Sequence, residues 1–174
     1  MLINICYFAI KMLLLTTDKG NYKMAHFLDD QSMAKLYERF VLEYYRCYFP
    51  NLRASAPYIS WSVDDSESDL LPTMQTDIML KHDDKCLIID TKYYSQTMQR
   101  NMMFDSISIH SAHLYQIFAY VKNEDKGNTG NVSGMILYAK TGEAITPDND
   151  YVMSGNKISV KTLDLNIEFS SIAA

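Results

Sequence analysis

Two short apolar runs on either side of a charged turn limit what this chain can become. Thr76-Asp77-Ile78-Met79-Leu80 and Cys86-Leu87-Ile88-Ile89-Asp90-Thr91-Lys92 flank the tetrapeptide His82–Lys85, and both read as strands of one hairpin. The midpoint between positions 77 and 90 falls between Asp83 and Asp84, in the middle of the turn. Asp77 and Asp90 are therefore expected to sit opposite each other, with Cα atoms roughly 4.5–5.5 Å apart. Alternation places Lys92 on the face of Asp90 and sends Ile78, Leu80, Leu87 and Ile89 to the other face. Opposed like charges destabilise a sheet, and a divalent cation removes that penalty. A slip of one residue would break the arrangement.

The rest of the chain supplies elements to cover such a hairpin. At 174 residues it is expected to form one domain with a sizeable core. The apolar start, Met1 to Thr16, is interrupted by Lys11, lacks a small-residue cleavage pattern and is too short to span a bilayer. It reads as a buried helix, followed by a turn at Asp18–Tyr22. Asp29-Asp30 offers an N-cap for a helix over about Gln31–Tyr48, stopped by Pro50. Its expected apolar stripe is Met33, Leu36, Tyr37, Phe40, Tyr44 and Cys47. Glu38 lies off the centre of that stripe, towards Val41, Leu42 and Tyr45, as either a solvated glutamate or a third carboxylate leaning over the hairpin.

Leu52 to Val63 reads as a strand bent at Pro57, with Ile59, Trp61 and Val63 on one face. The acidic run Asp64–Asp69 reads as a solvated loop, and Pro72 opens the hairpin. Tyr93–Asp105 has no clear period and is expected to be a mobile loop beside the site. A second helix is expected over about Ser108–Lys122, with Leu114, Ile117, Phe118 and Val121 inward and His113, Gln116 and Tyr120 as a neighbouring polar stripe. His110-x-x-His113 lacks further ligands at suitable spacing and is not read as a metal site. After a loop at Asn123–Asn131, Met135–Tyr138 reads as a strand. The tail from Tyr151 to Phe169 reads as a hairpin turning at Ser154-Gly155-Asn156, plus an edge strand. The fold class is α/β: a central mixed sheet in the order αβββαβ, flanked by helices on both faces, with a β-hairpin tail.

Charge and cysteine content narrow the partners. A formal charge of −5 argues against a surface that is a nucleic-acid patch throughout and leaves room for a local basic groove. Three scattered cysteines without a CxxC pair suggest a reducing, cytoplasmic setting with neither disulfide framework nor zinc site. Asp77, Asp90 and Lys92 on one hairpin are hard oxygen ligands beside an ammonium. That set suits Mg²⁺ or Mn²⁺ and a phosphate ester, with the ion acidifying water and Lys92 orienting it or offsetting developing charge. The pattern describes metal-dependent phosphodiester hydrolysis.

These residues also resemble a known family. Thr76-Asp77 with Asp90-Thr91-Lys92 resembles the PD-(D/E)XK nuclease signature, and Gln116-x-x-x-Tyr120 resembles the QxxxY helix of several of its branches. Met33–Val41, Leu71-Pro72-x4-Asp77-Ile78 and Leu114-Tyr115-Gln116 together look most like McrC-type nuclease subunits of modified-cytosine restriction systems. The resemblance covers about residues 5 to 140. It implies a restriction-endonuclease-like core at 29–140 of a single nuclease domain (1–174), preceded by an N-terminal helix and turn (1–28) and followed by a C-terminal β extension (141–174). It implies that Asp77 and Asp90 bind Mg²⁺ or Mn²⁺ with the Thr91 carbonyl, that Lys92 is the catalytic lysine, and that Glu38 orients a metal-bound water. Gln116 would touch the lysine, the nucleophilic water or DNA, supported by Tyr120. The implied partners are DNA and a McrB-type AAA+ GTPase motor, with no membrane. Against that family the chain starts near the middle, so the part engaging the motor is expected to be missing. The competing expectation is a nuclease-fold module that docks on DNA or in an assembly without cutting.

Overall fold

The computed structural model describes residues 30–65, 69–94, 96–101 and 106–172. The expected helix at Met1–Thr16 and turn at Asp18–Tyr22 lie outside them, as does Asp29. Helix α1 (Asp30–Tyr48) has no glycine or proline inside it. It closes with Phe49 N–H donating to Tyr45 O, and Pro50 then starts a single 3₁₀ turn, Pro50–Leu52. Proline has no N–H to continue a helix and pushes the residue before it out of the helical region.

Among the described residues, nine strands lie before and after a second helix. They are β1 (Tyr58–Ile59), β2 (Met74–Gln75), β3 (Ile78–His82), β4 (Lys85–Lys92), β5 (Met98–Asn101) and β6 (Ser106–Ile109), then α2 (Ser111–Glu124), β7 (Val132–Ala139), β8 (Asn149–Met153) and β9 (Asn156–Leu163). A short α3 (Phe169–Ile172) ends the described chain. The central sheet has five strands in the order β3-β4-β7-β9-β8. The outer pairs β3/β4 and β8/β9 are antiparallel, while β4/β7 and β7/β9 are parallel. The mixed sheet and its helices on both faces match the sequence-based expectation.

The hairpin register is the expected one. Ile78 pairs with Ile89, Leu80 with Leu87 and His82 with Lys85, around Asp83-Asp84. Asp83 takes the left-handed backbone (φ 51°) that aspartate tolerates better than branched residues. Ile78, Leu80 and Ile89 face α1, packing with Tyr37, Val41 and Leu42. Met79, Ile88, Ile136, Tyr138, Ile158 and Val160 face α2, where Ile117, Tyr120 and Val121 are buried.

Four expectations are corrected. The buried stripe of α1 is Tyr37, Val41 and Leu42, and Cys47 is exposed. Apolar residues continue round this helix, so periodicity alone could not centre the face. Tyr44, Tyr48 and Phe49 cluster instead with one another and with Phe169 of α3. Leu52–Val63 is not one strand. Ser55 bridges Met79, and after Pro57 only Tyr58–Ile59 pair, with Met74–Gln75, because proline leaves a gap in any ladder. Tyr93–Asp105 is not wholly loop, since Met98–Asn101 pairs antiparallel with Ser106–Ile109, which also delays α2 to Ser111. The tail forms the expected hairpin, β8 with β9 around Ser154-Gly155, but β9 lies inside the sheet beside β7, and Phe169 begins a helical turn in place of a further edge strand.

Two features hold α2 against the sheet. Asp125, which caps the helix, accepts hydrogen bonds from Thr129 N (2.9 Å), Thr129 Oγ1 (2.8 Å), Gly130 N (3.0 Å) and Asn156 Nδ2 (2.7 Å). Those donors, Asn156 first, hold its carboxyl well below the usual range. On β7, Gly134 lies directly beneath the helix. A Cβ there would stand 2.7 Å from Ile117 Cγ1 and 2.8 Å from Val121 Cγ2. Such overpacking costs about 1–3 kcal/mol, so Gly134→Ala is expected to lower unfolding free energy by that amount in urea titration. A variant as stable as the wild type would show that the helix can rise from the sheet at no cost.

Candidate functional site

One end of the β3–β4 hairpin opens into a cleft of about 430 Å³. Its walls include Glu38 and Lys35 of α1, Asp77 just before β3, Asp90, Thr91 and Lys92 at the end of β4, and Gln116 of α2. Of the seven residues singled out from sequence, six line this cleft; Tyr120 stands behind it. Strand alternation explains the convergence. Asp90 and Lys92 project on the α2 side, and Thr91 takes the alternate position between them.

The centre of the site is a buried ion pair. The Asp90 side chain is 1% exposed and that of Lys92 12%; Lys92 Nζ lies 2.9 Å from Asp90 Oδ1 and 2.8 Å from Oδ2. Only the contact to Oδ1 has the geometry of a hydrogen bond, so among the described residues the buried Oδ2 receives none. Lys92 Nζ also donates to Gln116 Oε1 (3.0 Å). Gln116 Nε2 donates to Tyr120 Oη (2.9 Å), and Tyr120 Oη donates to the Gln75 carbonyl (3.0 Å). Every donor in this relay meets an acceptor, which fixes the orientation of the Gln116 amide. The resemblance implied that Gln116 touches the lysine, the nucleophilic water or DNA, with Tyr120 in support; of these, the structure shows the contacts of Gln116 with Lys92 and with Tyr120.

Asp77 departs from the simple strand picture. It precedes the first residue of β3, and its Oδ2 accepts from both Thr91 N and Thr91 Oγ1, each at 2.7 Å. Its carboxylate thus curls over the end of the hairpin towards Thr91 rather than standing flat beside Asp90. It still acts on both other acids. Burial raises Asp90 to about 6, with Lys92 opposing and Asp77 and Glu38 adding to the rise. Glu38 is also raised, first by burial and then by Asp77, while Lys35 and Arg39 pull it back. Because the buried stripe of α1 runs through Tyr37 and Val41, Glu38 sits at its margin and joins the cleft instead of the solvated face.

Three carboxylates, Asp77 adding to the rise of the other two and Asp90 having a buried oxygen whose sole close partner among the described residues is the Lys92 ammonium, are a donor set suited to a hard cation. Among the described residues no three carboxylate, imidazole or thiol groups are gathered closely enough to hold an ion by themselves. Backbone carbonyl and water ligands would have to complete the shell, as Mg²⁺ commonly requires.

A second wall was not read from the sequence. Tyr138, buried on β7, pairs in register with Lys92, and its Oη lies 2.7 Å from His113 Nδ1. The His113 ring stacks on Tyr94, which also lines the cleft. Burial, and then the charges of Lys92 and His110, lower His113 to about 4, so the imidazole is neutral near neutral pH. Tyr138 is raised by burial and by Asp90. His113 was visible as part of a polar stripe. Tyr138 became a neighbour of Lys92 only through the parallel β4–β7 pairing, for which no local pattern exists.

The electrostatics yield a direct expectation. The Asp90 carboxyl, followed by carbon-13 NMR in the absence of divalent ions, titrates near pH 6 rather than near the usual value of about 3.9. Removing the opposing charge in Lys92→Met moves the midpoint upward. A downward or absent shift would mean that the ammonium does not act on this carboxylate.

Comparison with known proteins places the chain in a family. Residues 1–139 match the family described as McrBC 5-methylcytosine restriction system component. The chain is also 29% identical over 174 aligned residues to the type IV methyl-directed restriction enzyme EcoKMcrBC of Escherichia coli K12, an alignment covering 98% of this chain and 49% of that protein. It spans about half the length of that relative. No described helix is long and apolar enough to cross a membrane. On the extent of the match, the chain belongs to the McrBC 5-methylcytosine restriction system component family, as a subunit of the McrC type.

Proposed function

We propose that this chain is the cleaving part of a modification-dependent restriction complex, a Mg²⁺- or Mn²⁺-dependent DNA endonuclease with a PD-(D/E)XK active site in a single nuclease domain. The observation that carries the reading is the buried Asp90–Lys92 pair, open to a cleft that also holds Asp77 and Glu38. A structural ion pair needs no cleft and no further acids beside it.

In this reading Asp77, Asp90 and the Thr91 carbonyl would hold the ion, and Glu38 would orient a water on it. The ion, when bound, supplies an acidified water and offsets charge on the phosphodiester. Lys92, aimed by Asp90 and Gln116, donates to the attacking water or to a phosphate oxygen as negative charge grows there. Water adds to phosphorus, the bond to one sugar oxygen breaks, and that oxygen leaves with a proton. Tyr120 keeps the Gln116 amide from rotating. Burial, and then Asp77, raise Asp90, so a bound cation would favour its ionised form. The family supports DNA and a McrB-type GTPase motor as partners.

Nicking of supercoiled plasmid with Mg²⁺ or Mn²⁺, with a McrB-type motor supplied, tests the reading. Asp90→Ala and Lys92→Ala are each expected to lower the rate about 100-fold or more. Calorimetric titration with Mn²⁺ should show binding to the wild type and none to Asp90→Ala. Cleavage unaffected by both substitutions would place the chemistry elsewhere. Absence of both cleavage and ion binding would leave a docking module without catalysis.

A further inference from the structure

Tyr94 is the one aromatic ring in the described cleft lining that combines wide exposure with a rigid backing. It is 49% exposed and follows Lys92 by two residues. Its ring lies on the His113 imidazole at 5.4 Å between centroids and 15° between planes. His113 is itself held by Tyr138 Oη at 2.7 Å and flanked by the His110 ring at 4.9 Å. One face of Tyr94 is therefore covered and its position fixed, while the residue remains open in the wall of the cleft. Tyr93 beside it does something different, packing with Tyr37 among the α1-side core residues.

The open side of a ring backed in this way is available to another flat group. The neighbouring chemistry says which. Lys35 is exposed on the opposite wall, on α1, and Gln31 lines the same wall one turn earlier. A cationic side chain facing a backed aromatic ring, across a site for a phosphodiester, matches the alternating phosphate and base of a nucleic-acid strand. Bases inside a duplex already stack on each other, so a ring face in the cleft is useful only to an unstacked one.

We propose that Tyr94 is a stacking platform for one unpaired nucleobase beside the scissile phosphate, with Lys35 on the facing wall taking a neighbouring phosphate. The assignment rests on the nuclease reading and deepens it: the site accepts DNA that is single-stranded or locally opened at the cut. Stacking on an aromatic side chain is sequence-tolerant, because every base offers a flat face. The platform thus favours strand separation without choosing a sequence.

The test uses a single-stranded oligonucleotide carrying 2-aminopurine, and the same strand in a duplex, bound in Ca²⁺ and followed by fluorescence and anisotropy. Wild type and Tyr94→Phe are expected to quench the probe. Tyr94→Leu should lose the quenching and bind the single strand about tenfold more weakly, with less effect on the duplex. Lys35→Ala should reduce the slope of log affinity against log salt by about 0.7 on the single strand and leave the quenching in place. If Tyr94→Leu quenches and binds like the wild type, while plasmid nicking still depends on Lys92, the platform is overturned and the nuclease reading stands. An unchanged salt slope in Lys35→Ala removes the phosphate contact alone. If the wild type neither binds nor cuts DNA, the nuclease reading fails and the platform falls with it.

Discussion

A carboxylate and an ammonium taken out of water together dominate the architecture of this site. Separately each would be too costly to bury; paired, they still leave Asp90 more easily protonated than a free aspartate. The surroundings do not relieve that tension. Asp77 and Glu38 add negative charge, and one buried oxygen of Asp90 goes without a hydrogen bond. What the fold does provide is orientation. The relay from Lys92 through Gln116 and Tyr120 to a backbone carbonyl has one polarity, so reversing any member would leave a donor facing a donor. The site is thus fixed in orientation by the relay and unfavourable in charge.

Much of this was readable in the chain, because the informative part is local. A two-residue turn between apolar runs determines which positions face each other, and the Ile78–Ile89 pairing brings Asp77 to the end of β4, where it meets Thr91 next to Asp90. The same arithmetic separates Ile78, Leu80 and Ile89 from Asp90 and Lys92. Helix α2 was legible for a similar reason, since a three- and four-residue spacing places His113, Gln116 and Tyr120 along one flank.

What was not legible depends on long-range placement. Tyr138 reaches the site because β7 runs parallel beside β4, and nothing in either strand announces that partnership. β9 was read as part of a tail because its hairpin with β8 is strong locally, yet its other edge pairs with β7 in the centre of the sheet. Helix α1 shows a third kind of difficulty. Tyrosine and phenylalanine occur on two sides of it, and only the sheet beneath Tyr37 and Val41, with Phe169 beside Tyr44, decides which side is core. Glu38 changes from an ordinary surface acid to a cleft residue through that rotation alone.

The parallel seam between β4 and β7 has a consequence for how the molecule comes together. The β3–β4 hairpin closes across a two-residue turn and needs no distant partner, so the acids and Lys92 can be brought near one another early. The seam must wait until the intervening ribbon and helix α2 have been threaded back across the sheet, and such crossover pairings are slow to form. His113 and Tyr138 arrive only with that step. A chain without that pairing would already carry Asp90 and Lys92 on its hairpin while lacking the wall that encloses them, so completion of the cleft depends on a contact between strands far apart in sequence.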